Sequence, residues 1–115
     1  MKVKNRVKSH EEFQDIIHSN HCEKNSYYVV HYQKNDLNYT RIGISVSKKL
    51  GNAVVRNKIK RQIRIMSTQL LDLKDPWNLI IVARSAYDTK DFAKGKEQLQ
   101  SLLQVIRRKL DDKKD

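Results

Sequence analysis

The segment NAVVRNKIKRQIRIMSTQLL, residues 52–71, is the longest helix-patterned stretch of the chain. With about 100° per residue and Arg56 set at zero, Val55, Ile59, Ile63, Met66 and Leu70 fall between about 260° and 340°, one compact apolar stripe suited to a core. Asn52 is a natural N-cap for this helix. Upstream, from about Thr40 to Val46, Ile42, Ile44 and Val46 alternate with Arg41, Gly43 and Ser45. One face of that strand is core, and the other offers small or polar groups to whatever lies above it. Downstream, Asp75-Pro76 breaks the helix, and Leu79-Ile80-Ile81-Val82-Ala83 reads as a strand buried on both sides. Strand, helix and strand form a β-α-β unit whose strands are parallel if they are neighbours.

Further out, Tyr27-Tyr28-Val29-Val30-His31-Tyr32 is aromatic and β-branched, and Lys34-Asn35-Asp36 supplies a turn that would make a hairpin with the Thr40 strand. Ser9 followed by Glu12 is a capping-box pattern, and Phe13, Ile16 and Ile17 recur at helical spacing up to Ser19-Asn20. A last helix starts between Thr89 and Asp91, with Leu99, Leu102, Leu103, Ile106 and Leu110 at i, i+3, i+4, i+7 and i+11. The expected architecture is an α+β two-layer sandwich, a small mixed β-sheet packed with three helices in the order α-β-β-α-β-α. One extra short strand could be added to it.

The 115 residues carry 24 Lys+Arg against 13 Asp+Glu, a formal net charge of +11, and only 38% are apolar. One domain spanning residues 1–115 is expected, with a short basic arm at about 1–8 and a tail at about 111–115. No apolar run approaches a membrane span, and the opening MKVKNRVK has no signal-peptide core, so the expected location is cytoplasmic. Cys22 is the only cysteine, which excludes an internal disulfide. The charge is segregated. Arg41, Lys48, Lys49, Arg56, Lys58, Lys60, Arg61 and Arg64 all lie in residues 41–71, where there is no acid. Such a block fits a face that meets a polyanion better than it fits general solubility.

On the residue 52–71 helix, Arg56, Lys60, Arg64, Asn57 and Arg61 fall between 0° and about 140°, a second stripe beside the apolar one. Like charges at i and i+4 destabilise an isolated helix, so local stability does not explain Arg56, Lys60 and Arg64. Phosphates would neutralise them: Arg offers a planar fork, Lys a point charge, and Asn57 an amide for a ribose or base edge. Elsewhere His18, His21 and Cys22 are too few, and too near a helix end, for a metal site. Trp77 is read as packing and Tyr87 as a loop anchor. No carboxylate pair, Ser/His/Asp set, P-loop or GxGxxG motif supports a catalytic group on the protein. The readings left open are an RNA-binding subunit, a ribosome-associated or RNA-chaperone protein, and an autonomous nuclease, which lacks the acidic or histidine metal site it would need.

The gapless run SVSKKLGNAVVRNKIKRQIR, residues 45–64, closely resembles the signature of the protein subunit family of bacterial ribonuclease P, with its RNR box at Arg56, Asn57, Lys58, Lys60, Arg61 and Arg64. The Arg6 to Phe13 opening, the aromatic strand and Ile80-Ile81-Val82-Ala83-Arg84 extend the likeness over almost the whole chain. The resemblance implies a ribonucleoprotein endoribonuclease that removes the 5′ leader from precursor tRNA. In it a large RNA subunit performs the hydrolysis with Mg²⁺, and the protein needs no membrane and no obligate protein partner. It also implies a left-handed β-α-β crossover, an RNA-subunit surface at Lys48, Lys49, Arg56, Asn57, Lys58, Lys60, Arg61 and Arg64, and a leader-binding cleft between the first helix and the sheet. Arg6, Phe13, Ile17, His31, Arg41 and Ser45 are the cleft residues so implied. Ile17 departs from the Phe that relatives often carry, and His31 from their Tyr; an Ile does not stack on a base as an aromatic ring does. Strand alternation sets Tyr28, Val30 and Tyr32 opposite Val29 and His31, and either set could line the cleft.

Overall fold

The computed structural model of the chain describes residues 3–7 and 9–111. The expected ends of the arm and of the tail, residues 1, 2, 8 and 112–115, lie outside the described residues. After a single 3-10 turn at Val3–Asn5 come α1 (His10–Ile17), β1 (Cys22–Lys24), β2 (Tyr28–Lys34), β3 (Arg41–Val46), a second 3-10 turn (Lys48–Leu50), α2 (Ala53–Leu70), β4 (Trp77–Ala83) and α3 (Phe92–Asp111). The fold is the α+β arrangement of a mixed sheet and three helices that the patterning predicts, and β1 is the extra short strand.

The helix starts follow their caps. Ser9 Oγ accepts from Glu12 N at 3.0 Å, Asn52 Oδ1 from Val55 N at 3.0 Å, and Asp91 Oδ1 from Lys94 N at 3.1 Å, each satisfying a donor that the first turn leaves unpaired.

The sheet order is β1-β2-β4-β3, with β3 parallel to β4 and the other pairs antiparallel. The parallel pair is the expected β-α-β unit. The expected hairpin is not formed, because β4 lies between β2 and β3. The reason is burial: six of the seven β4 residues are buried, and a strand apolar on both faces belongs at the centre of a sheet. The 35–40 connection is held instead by the loop before β4, through Asn35 N to Pro76 O at 2.8 Å and Thr40 N to Leu73 O at 2.9 Å.

The main core joins Tyr28, Val30, Tyr32, Ile42, Val46, Leu79, Ile81 and Ala83 of the sheet to Ile59, Ile63 and Met66 of α2 and to Leu99, Leu102, Leu103, Ile106 and Leu110 of α3. Trp77 is buried in it, while Tyr87 packs at its margin and donates to Gln62 Oε1 at 2.8 Å. Burial pushes the Tyr87 hydroxyl pKa up to about 12, so it remains a donor. Val55, expected in the core stripe, is instead 37% exposed. It stands in the first turn of α2 against Gly51, before the helix reaches the main core. No helix among the described residues is long and apolar enough to cross a membrane.

Helix α1 lies against the other face of the sheet. A Cβ built on Gly43, which alternates with the core residue Ile42 and with Ile44 packed against that core, would meet Phe13 Cε2 and Ile80 Cδ1, each at 2.6 Å. Ile16 and Ile80 are fully buried but stand apart from the main core cluster, as expected for a small second core beneath a two-turn helix.

Candidate nucleic-acid interface

Two surfaces meet around β3. The first is the polar side of α2. Arg56, Lys60 and Arg64 are half-buried at the rim of the core stripe, whereas Asn57, Lys58 and Arg61 are exposed, matching the two-stripe geometry of the sequence. Ahead of them Lys48 and Lys49 project from a 3-10 turn whose cap, Ser47 Oγ, accepts from Lys49 N at 3.2 Å. Gly51 has φ +146°, which a side chain would strain, and this glycine turns the chain from Lys48-Lys49 into α2. At the outer edge of β3, Arg6 bridges to Ile42 and Val7 N donates to Ile42 O at 3.0 Å. The arm, the turn and α2, which packs on β3, therefore gather the cations along one side of the molecule.

Clustering without acids distinguishes the α2 cations, since the helix Ala53–Leu70 carries no Asp or Glu. On α3, Arg107 pairs with Asp75 at 3.5 Å and Lys109 pairs with Glu23. Among the described residues, Lys48, Lys49, Arg56, Lys58, Lys60, Arg61 and Arg64 have no acid partner. Arg56 Nε is also shielded from solvent without a hydrogen-bond acceptor. A concentration of unpaired guanidinium and ammonium groups raises local counter-ion density, and binding a polyphosphate releases those counter-ions.

The second surface is the sheet face beneath α1. Because Tyr28, Val30 and Tyr32 are in the main core, Val29 and His31 face the α1 side, which answers the question the alternation left open. Strand register sets three rows across that face: Gln33, Asn78 and Arg41; His31, Ile80 and Gly43; Val29, Val82 and Ser45. Phe13 stands over the middle row against Gly43. Phe13, Ile17, His31, Arg41 and Ser45 are half-buried, and Arg6 is exposed at the strand edge. The Arg41 side chain, 20% exposed, forms an ion pair with Glu12 of α1, 43% exposed. Glu12 thus supplies only its backbone N–H to the capping box, and its carboxylate crosses to β3. Desolvation by burial lowers the His31 pKa, so near neutral pH it is an uncharged ring able to stack.

Sequence reasoning missed Glu12 and Val82, and left Val29 open with His31 as one of two possible faces. Val82 follows from register with Val29 once the core face is known, but the partner of the Glu12 carboxylate needs the α1 to β3 packing. His21 stacks on Tyr32 with ring centroids 5.7 Å apart, and Cys22 falls in β1. No group of three or more His, Cys, Asp or Glu that could hold a metal occurs among the described residues.

A family model described as Ribonuclease P matches residues 1–107. The ribonuclease P protein component of Mesoplasma florum is 43% identical over 105 residues, covering 90% of this chain and 96% of that protein. That of Listeria welshimeri is 42% identical over 109 residues, covering 93% and 92%. Among solved structures, the Staphylococcus aureus RNase P protein superposes with a TM-score of 0.77 at 36% identity, covering 89% of this chain and 94% of that one. The Thermotoga maritima RNase P protein gives a TM-score of 0.75 at 27% identity, covering 85% and 94%.

Proposed function

The chain belongs to the ribonuclease P protein family and is a protein component of that tRNA-processing ribonuclease, and from this we propose that α2 with Lys48 and Lys49 binds the enzyme's RNA subunit while the sheet face beneath α1 holds the 5′ leader of precursor tRNA. Family membership sets aside the ribosome-associated and RNA-chaperone readings. The observation that supports the RNA surface is the concentration of charge on α2: Arg56, Lys58, Lys60, Arg61 and Arg64 stand on a helix that carries no acid, and none of them has an acid partner among the described residues.

In this reading the chemistry belongs to the RNA. The RNA subunit carries the Mg²⁺ and performs the hydrolysis, and the protein contributes binding and orientation. Arg56, Lys58, Lys60, Arg61 and Arg64 neutralise phosphates of the RNA subunit, Asn57 reaches a ribose or base edge, and Lys48 and Lys49 extend the contact. Under α1, Phe13 and the neutral His31 ring offer stacking surfaces to an unpaired strand, Gly43 and Ser45 let it lie close, and Arg41 and Arg6 attract its phosphates. Ile17 contributes apolar contact without stacking. The activity is cytoplasmic in this account.

Converting Arg56, Lys60 and Arg64 together to Ala tests the RNA surface. Affinity for the RNA subunit should fall, and the slope of log K against log salt should flatten by about 0.7 to 0.9 for each phosphate no longer neutralised. An unchanged slope would remove α2 from the interface.

A further inference from the structure

Glu12 poses a problem for a surface meant to hold a polyanion. It stands on α1 one residue before Phe13, and its carboxylate pairs with the guanidinium of Arg41, the floor cation at the start of β3. The Glu12 side chain is 43% exposed and the Arg41 side chain 20% exposed, with the paired Glu12 Oε2 itself shielded from solvent. A phosphate approaching Arg41 therefore meets a guanidinium already in use and a negative charge beside it. The ion pair does not belong to the helix cap, since Ser9 Oγ accepts from the Glu12 backbone N–H and leaves the side chain uncommitted. Nor does the fold depend on it alone: Phe13 against Gly43 and the burial of Ile16 and Ile80 already fix α1 on the sheet.

We propose that Glu12 is a specificity-determining residue that competes with RNA phosphate for Arg41, so that only a strand making further contacts on this face displaces it. The inference rests on the leader assignment above. Attraction between Arg41 and a phosphate is electrostatic and so is its loss to Glu12; a partly exposed pair is weak enough to be exchanged. A short anion offers Arg41 a charge but nothing to Phe13 or His31, and it has no advantage over the intramolecular carboxylate. A single strand that stacks on Phe13 arrives with additional binding free energy and brings its phosphate to Arg41 at high local concentration. The pair thus suppresses weak, non-specific strand binding more than it suppresses leader binding.

The experiment uses the holoenzyme reconstituted with its RNA subunit and measures affinity for precursor tRNA with and without its leader, for wild type, Glu12→Gln, Arg41→Gln and the double variant. Glu12→Gln keeps the side-chain shape and removes the competing charge. It should raise the leader-dependent affinity ratio by about two- to fivefold, the scale of one partly exposed charge pair, and tighten binding of an unrelated single-stranded RNA of the same length by at least as much. Arg41→Gln should lower the ratio, and in that background Glu12→Gln should change it by less than about twofold, because coupled residues lose their effect together. Affinity for the RNA subunit should not move in Glu12→Gln, which also reports that the variant is folded. A wild type with a leader-dependent ratio that Glu12→Gln leaves unchanged or lowers would overturn the competition while keeping the cleft. A gain that persists in the Arg41→Gln background would overturn Arg41 as its target. A wild-type ratio of one would remove the leader assignment, and this proposal with it.

Discussion

Gly43→Ala probes the packing on which the proposed leader surface is built. The glycine has an ordinary strand backbone, so no strain from a left-handed φ enters. What enters is volume: the new Cβ would lie 2.6 Å from both Phe13 Cε2 and Ile80 Cδ1, whereas carbon atoms pack best at about 3.5 to 4.0 Å. Each neighbour would have to retreat by about 1 Å. Ile80 is fully buried and has no space to retreat into, whereas half-buried Phe13 is free to lift. Overpacking of this kind costs about 1 to 3 kcal/mol. Replacing glycine also restricts the unfolded chain and returns about 0.4 to 1 kcal/mol. The clash wins, and the expected net loss is about 0.5 to 2 kcal/mol, a visible share of a small domain's total stability. Urea denaturation of wild type, Gly43→Ala, Phe13→Ala and the double variant measures it. The penalty should shrink in the Phe13→Ala background without vanishing, because Ile80 remains. A Gly43→Ala protein as stable as wild type or more so, or a penalty indifferent to Phe13, would refute the packing of α1 on β3.

Two further outcomes follow from the same face. Phe13→Ala should reduce the preference for precursor tRNA carrying a leader by about 1 to 3 kcal/mol if a base stacks there, and equal leader preference in wild type and variant, measured in the holoenzyme, would contradict it. His31 has a folded pKa below its unfolded value, so the unfolded chain takes up the proton first. Its stabilising contribution is complete above about pH 6.5 and is lost as pH falls from there through the lower folded pKa. Wild type should therefore lose more stability than His31→Gln between about pH 7.5 and pH 5, read by denaturant titration; parallel losses would show that His31 is not desolvated.

The parts of the fold governed by periodicity were legible in the residues. The core stripe of α2, the caps at Ser9 and Asn52, the apolar seam of α3 and the parallel sense of β3 and β4 once they are neighbours all follow from local pattern, and so does the segregation of charge onto one rim of α2. Long-range placement was not legible. The Lys34-Asn35-Asp36 turn looks like a hairpin because turn chemistry is local, but β4 is apolar on both faces and takes the position between β2 and β3. Val55 satisfies the helical period yet stands in the first turn, where the sheet does not reach it. Which face of β2 meets α1 depends on which face the other helices occupy, information that alternation does not contain. The Glu12 to Arg41 pair joins residues 29 positions apart, and the capping-box spacing already accounts for a Glu at that place, so no sequence signal remained to reveal it.

The central claim is that this chain assists a catalytic RNA and has no hydrolytic activity of its own. Its most direct test is cleavage of precursor tRNA by the purified protein, by the RNA subunit, and by the two together with Mg²⁺ at moderate salt. The protein alone should release no leader, and adding it to the RNA subunit should increase cleavage at the mature 5′ end, an increase that Arg56→Ala, Lys60→Ala and Arg64→Ala together should largely abolish. Cleavage by the protein alone, or an RNA subunit whose activity is unchanged by the protein, would contradict the account.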